Sequence, residues 1–188
     1  MLNVKTQDNF LSPEEAAKLV DILSTTDAWE KTSDAFWDDR VINSTRVNDL
    51  FGPEIDSLIF NITMRIREFI IEEYGTENIW PDLVLLCRWF PGMEQPPHAD
   101  DMTNTDVKGL EHRVFGSVIY LNDDYEGGKT YYPDYGIEVT PKIGSLAVHP
   151  GGPDHLHGVT KVEGNTRYTF ASFWTYDTNK SYILSTIL

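Results

Sequence analysis

Two side-chain types in this 188-residue chain stand where coordination chemistry would need them. In Pro97-His98-Ala99-Asp100 an imidazole and a carboxylate lie two residues apart, a spacing that on an extended segment turns both to the same face. A neutral imidazole with a carboxylate suits a first-row divalent metal. Alone the pair says little: with five histidines and 17 aspartates in the chain, chance supplies roughly half of one such pair. A third ligand is needed, and the candidates downstream are His149, His155 and His157.

The residues after His157 favour it over the other two. The run His157-Gly158-Val159-Thr160 leads into a turn bearing Gly164 and returns as Arg167-Tyr168-Thr169, a hairpin pattern that would carry a guanidinium toward the same cavity. Arginine inside an apolar barrel is costly unless a carboxylate meets its planar fork, so Arg167 points to an anionic ligand with a carboxylate end. His98, Asp100 and His157 on one side of a metal would leave coordination positions open. A closed tetrahedral zinc site would not.

Such a site needs a scaffold, and the chain supplies two textures. Ser12-Pro13-Glu14-Glu15 combines a capping hydroxyl, a proline for the first helical position and a glutamate three residues after the cap, which predicts a helix from about Pro13 to Leu23. Ile55, Leu58, Ile59, Ile62, Ile66, Phe69 and Ile70 recur at helical spacing, predicting a long amphipathic helix from Pro53 to near Tyr74-Gly75. Between these, Trp29 to Asp49 reads as a loop with a short strand near Val41.

After Pro81 short β-rich runs take over: Leu83–Phe90, Arg113–Leu121, Thr130–Tyr132, Ile137–Thr140, Ser145–His149, His157–Val162 and Arg167–Tyr176. That pattern is compatible with a sandwich, a jelly roll or a barrel, with the helices packed outside. One domain over 1–188 is expected, with 1–80 a helical support and 81–178 the β-rich core.

Taken together, the motifs resemble the prolyl 4-hydroxylase-like branch of the 2-oxoglutarate and iron(II)-dependent oxygenases: a His-x-Asp, a distant histidine, and a basic residue ten positions beyond it. Tyr120-Leu121-Asn122-Asp123, Glu126-Gly127-Gly128-Lys129-Thr130 and Pro141-Lys142-Ile143-Gly144-Ser145-Leu146 look like that family's strand and turn segments, in order, so the resemblance spans roughly 83 to 176. It implies a mainly β fold with flanking helices, a double-stranded β-helix (jelly roll, cupin-like). It also implies Fe(II), 2-oxoglutarate and O2 as cofactor and cosubstrates, with ascorbate as a stimulant, and oxidative decarboxylation to succinate and CO2 coupled to hydroxylation.

In that resemblance Tyr120 reaches the distal carboxylate of 2-oxoglutarate beside Arg167, and Thr169 assists. The presence of Asp100 favours hydroxylation over halogenation, because halogenases of the wider family lack this carboxylate. One departure stands in Arg88-Trp89-Phe90-Pro91-Gly92, where many members place a tyrosine.

A formal charge of −15, from 30 acidic against 15 basic residues, repels phosphate backbones and anionic lipid, so neither nucleic acid nor membrane is expected as a partner. The first residues show no basic segment followed by an apolar run, and a soluble cytoplasmic protein is expected. The single cysteine, Cys87, excludes an intrachain disulfide and sits among leucines, which predicts a buried thiol.

His112 and His149 are expected to be structural or exposed; His155, of the same strand parity as His157, is expected at the surface, with a place behind the metal ligands or beside the substrate as the alternative. Trp89, Phe90, Trp174 and Tyr176 are expected in the core. Asp100-Asp101 with Asp106, and Asp123-Asp124, read as solvated loop acids. The segments Trp29–Asp49 and Asp101–Glu111 are candidate lids. Three functions compete: hydroxylation of a peptidyl residue, prolyl or other; hydroxylation of a free amino acid or other small molecule; and a non-catalytic jelly-roll metal-binding protein.

Overall fold

The computed structural model describes residues 3–103 and 107–187. In chain order the elements are β1 (Lys5–Gln7), α1 (Pro13–Thr25), β2 (Val41–Asn43), α2 (Val47–Phe51) and α3 (Pro53–Tyr74). The β-rich body comprises β3 (Trp80–Trp89), β4 (Gln95–His98), β5 (Arg113–Tyr120), β6 (Glu126–Gly127), β7 (Thr130–Tyr132), β8 (Ile137–Val139), β9 (Leu146–Pro150), β10 (His157–Val159), β11 (Val162–Glu163) and β12 (Arg167–Thr175). The short helix α4 (Tyr182–Ile187) comes last.

Both long helices start and stop where local chemistry says they should. Ser12 accepts from the Glu15 backbone while the Glu15 carboxylate accepts from the Ser12 backbone, which satisfies two donors the helix cannot use. In α3, Pro53 fills the first position and Gly75 ends the helix in the left-handed region at φ 61°, where a side chain would be strained.

The strands pair antiparallel in the order β1-β9-β5-β12-β3-β2 for the larger sheet and β4-β10-β7-β8 for the smaller, with a third short pair, β11-β6. The two larger sheets form the jelly roll. Its outer core lies where Ile55, Ile59, Ile62, Ile66 and Ile70 of α3 and Leu19 and Leu23 of α1 meet Val84, Leu86, Ile119, Phe170 and Trp174 of the larger sheet. Each such aliphatic side chain contributes about 1.5–3 kcal/mol relative to exposure.

The expected strand over His157–Val162 is divided. β10 pairs with β7, whereas β11 pairs with β6. The break lies at Thr160-Lys161, where the Lys161 carbonyl accepts from Gly128 and sits where a Cβ on Gly127 would be, 1.9 Å away. In the segment Trp29 to Asp49 the short strand expected near Val41 is β2, paired with β3, while the start of α2 is unexpected, its local pattern being too short to announce it. Among the described residues no helix is long and apolar enough to cross a membrane.

Candidate active site

Strand alternation sorts the larger sheet into two faces. In β12, Phe170 and Trp174 point to the helices, while Arg167, Thr169, Ala171 and Phe173 line a cavity on the other side. Thr169 stands opposite Cys87 of β3 and Tyr120 of β5. In β9, Leu146 and Val148 join the helix-side core, which leaves His149 to the cavity.

The smaller sheet closes the cavity from across. β4 and β10 are antiparallel neighbours in which His98 and His157 are direct partners, so two histidines 59 positions apart in sequence lie with ring centroids 4.5 Å apart, tilted by 51°. Asp100 lies just beyond β4, and one ligand atom from each of His98, Asp100 and His157 lies within 4.8 Å of the others. Nδ1 of His98 lies 3.1 Å from the Pro96 carbonyl and Nδ1 of His157 lies 3.1 Å from the His155 carbonyl. A carbonyl only accepts, so each Nδ1 carries the proton and each Nε2 keeps its lone pair for a metal.

The charges suit the same purpose. Burial would raise the Asp100 carboxyl, but His157, His149 and His98 around it outweigh that and hold it below the usual carboxylate range. Burial, with His149 beside it, pushes His157 down to about 3 against the pull of Asp100. A neutral imidazole and an ionised carboxylate are the protonation states that bind metal.

At the other end of the cavity Arg167 is 2% exposed, and among the described residues no carboxylate lies within ion-pair distance of it. Its guanidinium carbon is 5.1 Å from the Trp89 ring and 5.3 Å from the Tyr120 ring. Three buried donors here have no hydrogen-bond partner: Nε of Arg167, Nε1 of Trp89 and the hydroxyl of Tyr125. Arg167 is the main charge near that hydroxyl, and a Cβ on Gly128 would lie 2.8 Å from both side chains. Buried donors without acceptors are rare and costly. An acceptor-rich guest such as a dicarboxylate would relieve the two that line the cavity, Arg167 and Trp89.

The residues named from sequence therefore converge, with distinctions. His98, Asp100 and His157 form one end of the cavity, and Arg167 and Thr169 belong to its lining. Tyr120 is fully buried, its hydroxyl 2.7 Å from Thr130 Oγ1, and Thr130 is the member of that pair that lines the cavity. Trp89 and Trp37 line it too, which brings part of the segment expected as a lid to the site. Arg40 fastens that segment: 1% exposed, it stacks on Phe36, Trp37 and Trp89 at 4.4, 5.1 and 4.3 Å.

Other expectations need correction. Asp101 is buried, accepting from the backbone and hydroxyl of Thr103, so Asp100-Asp101 is not a solvated pair; Asp106 lies outside the described residues. Phe90 and Tyr176 are exposed rather than core, because each falls one residue past the end of its strand. His149, read as structural or exposed, is the former: buried against Asp100, with Nε2 3.0 Å from Oδ2 and Nδ1 2.8 Å from the Tyr132 hydroxyl, a contact with the site that this expectation leaves unnamed. The available signal was a lone polar residue in the apolar run Leu146-Ala147-Val148-His149. Tyr125 and the Trp89 ring nitrogen gave none.

Comparison with known proteins agrees with this arrangement. The model of the 2OG-Fe(II) oxygenase superfamily matches residues 85–176. A PKHD-type hydroxylase of Crocosphaera subtropica is 23% identical over 167 residues, 87% of this chain and 74% of that one. A viral collagen prolyl hydroxylase from Paramecium Bursaria Chlorella virus-1 shares the fold with a TM-score of 0.70 at 18% identity, covering 92% of this chain and 95% of that one. So does a prolyl hydroxylase from Trichoplax adhaerens, solved with a hypoxia inducible factor oxygen degradation domain peptide fragment, at 0.71 and 14%, covering 97% and 87%. Fold, cavity and family match agree: residues 85–176, which hold the strands that build the cavity, match the 2OG-Fe(II) oxygenase superfamily.

Proposed function

We propose that this protein is a prolyl-hydroxylase-like dioxygenase that uses Fe(II), 2-oxoglutarate and O2 to hydroxylate a prolyl or other residue of a peptide, within one domain of 1–188. The observation that carries the reading is a single cavity with a His/Asp/His cluster at one end and unpartnered buried donors at the other. A carboxylate-bearing cosubstrate that must also reach a metal needs both ends.

In this reading His98, Asp100 and His157 hold the metal. Arg167 takes the far carboxylate through its planar fork, with Trp89 as a further donor and Thr169 and Tyr120 as supports. With Fe(II) and 2-oxoglutarate bound, the chemistry supplied is insertion of one oxygen atom of O2 into a substrate C–H bond while the other enters succinate and CO2 leaves. Trp37, Val118 and Phe173 give the cavity an apolar wall, which excludes water and suits an aliphatic ring or chain. A peptide substrate is supported by the peptide held in the Trichoplax adhaerens structure of like fold.

The test is mass spectrometry of proline-containing peptides and of cell-extract metabolites after incubation with Fe(II) and 2-oxoglutarate. The reading expects peptides to gain one oxygen atom with the wild type and none with Asp100→Ala. Oxygen gain confined to free amino acids or other small molecules would reject the peptidyl substrate.

A further inference from the structure

The hydrogen bonds around Asp100 assign a task to a third histidine. His149 on β9 is 3% exposed and Tyr132 on β7 is fully buried. Together with Asp100 they form a chain closed to solvent at both ends: Tyr132 hydroxyl to His149 Nδ1 at 2.8 Å, then His149 Nε2 to Asp100 Oδ2 at 3.0 Å. β5 leaves room for it with a glycine, since a Cβ on Gly116 would lie 1.9 Å from Oδ2 and 2.8 Å from His149 Nε2.

With a single proton on the His149 ring, one placement of hydrogens satisfies this chain. A carboxylate that ligates a metal is deprotonated and accepts only, so Nε2 of His149 carries the proton. Nδ1 is then the acceptor, and the phenol of Tyr132 donates to it. Oδ2 is thereby occupied, while Oδ1, 3.6 Å from His157 Nε2, is the oxygen turned to the His157 imidazole. Both ring nitrogens of His149 are engaged, which argues against a fourth protein ligand although its ring centroid is only 4.0 Å from that of His157.

We infer that His149 is a positioning residue: oriented by Tyr132, it fixes Asp100 so that one carboxylate oxygen alone is offered to the metal, keeping a coordination position free that a chelating carboxylate would take. This rests on the reading of His98, Asp100 and His157 as ligands. Partners that orient metal ligands in this way typically contribute about 10- to 100-fold in metal affinity.

The experiment is calorimetric titration of the full chain with Mn(II), for the wild type, His149→Phe, His149→Gln and Tyr132→Phe, with thermal melts of the metal-free proteins as the folding control. His149→Phe preserves bulk but not the donor and should weaken Mn(II) binding about 10- to 100-fold. His149→Gln, whose amide can present an N–H to Oδ2, should recover most of that, and Tyr132→Phe should show a smaller loss. A role limited to filling space predicts wild-type affinity for His149→Phe, and that result overturns the inference. Should His149→Phe fail to fold, Tyr132→Phe decides in its place, with unchanged affinity again overturning it. A wild type that binds no Mn(II) defeats the metal-site reading itself and this inference with it, whereas a binding wild type with unaffected variants defeats only the positioning role.

Discussion

Replacing Gly116 with alanine adds a single methyl group, yet it should disable the site. The new Cβ would lie 1.9 Å from Asp100 Oδ2 and 2.9 Å from its Cγ. Ordinary contact begins near 3.4 Å, so the carboxylate must retreat by the difference, about 1.5 Å. The strand cannot give way instead, because Gly116 is paired with His149 on one side and Phe173 on the other. Functional sites tolerate displacements of about 0.5 Å.

The expected cost to the metal-free fold is about 1–3 kcal/mol of overpacking, so the variant remains folded in a domain of ordinary stability. Its Mn(II) affinity should fall at least about 100-fold, equivalent to roughly 2.7 kcal/mol. Calorimetry gives the affinity and a thermal melt the stability. Wild-type affinity in folded Gly116→Ala would refute the placement of Asp100 at the metal.

Arg167→Leu should raise the KM for 2-oxoglutarate by about 10- to 150-fold, from loss of roughly 1.5–3 kcal/mol of charge-assisted hydrogen bonding. It should leave the melting temperature of the cosubstrate-free protein equal or higher, since a buried cation without a counter-charge is removed; a lowered melting temperature with unchanged KM contradicts both points. His157 takes its proton near pH 3 in the fold and near 6.5 when unfolded. Between these values the unfolded chain binds more protons, so stability of the metal-free protein rises with pH through that window and is lost as pH falls, by up to about 1.4 kcal/mol per unit. Urea titrations from pH 6.5 to 4 should show this slope and His157→Gln should flatten it; equal slopes count against a buried neutral imidazole. Burial pushes the Cys87 thiol up to about 12, so aromatic disulfide reagents at pH 8 should leave the native protein unlabelled and react once it is denatured, and rapid native labelling would show the cavity wall to be open there.

The parts legible in the sequence are those fixed by local rules or by a spacing that fold geometry preserves. Ser12-Pro13-Glu14-Glu15 carries its own cap, and the isoleucines of α3 declare a face. Arg167 lies ten residues after His157, yet not across the expected hairpin: β11 intervenes and pairs with β6, and β10 and β12 belong to the two different larger sheets, each carrying its side chain to the one cavity. The hidden parts depend on which strands become neighbours. Tyr132 on β7 and His149 on β9 meet Asp100 only because the two sheets face one another, and no short-range pattern in Leu146–Pro150 says which residue His149 will touch. Gly116 has the look of an ordinary glycine in a β run, and only the assembled fold shows Asp100 filling the space of its missing Cβ. The unpaired donors of Trp89 and Tyr125 are invisible in sequence for the same reason, since absence of a partner is a property of the assembled cavity. Phe90 and Tyr176 show the other limit: an error of one residue at a strand end moves an aromatic from core to surface.

The central claim is that the His98, Asp100 and His157 end of the cavity and its Arg167 end act together on one cosubstrate. The most direct test is succinate release from 2-oxoglutarate by the wild-type protein with Fe(II), ascorbate and air, beside a folded His98→Ala control. The account predicts succinate from the wild type, at least as slow turnover without substrate, and none above background from the control. Equal, background-level succinate from both proteins, with the wild type shown to bind Fe(II), would contradict it.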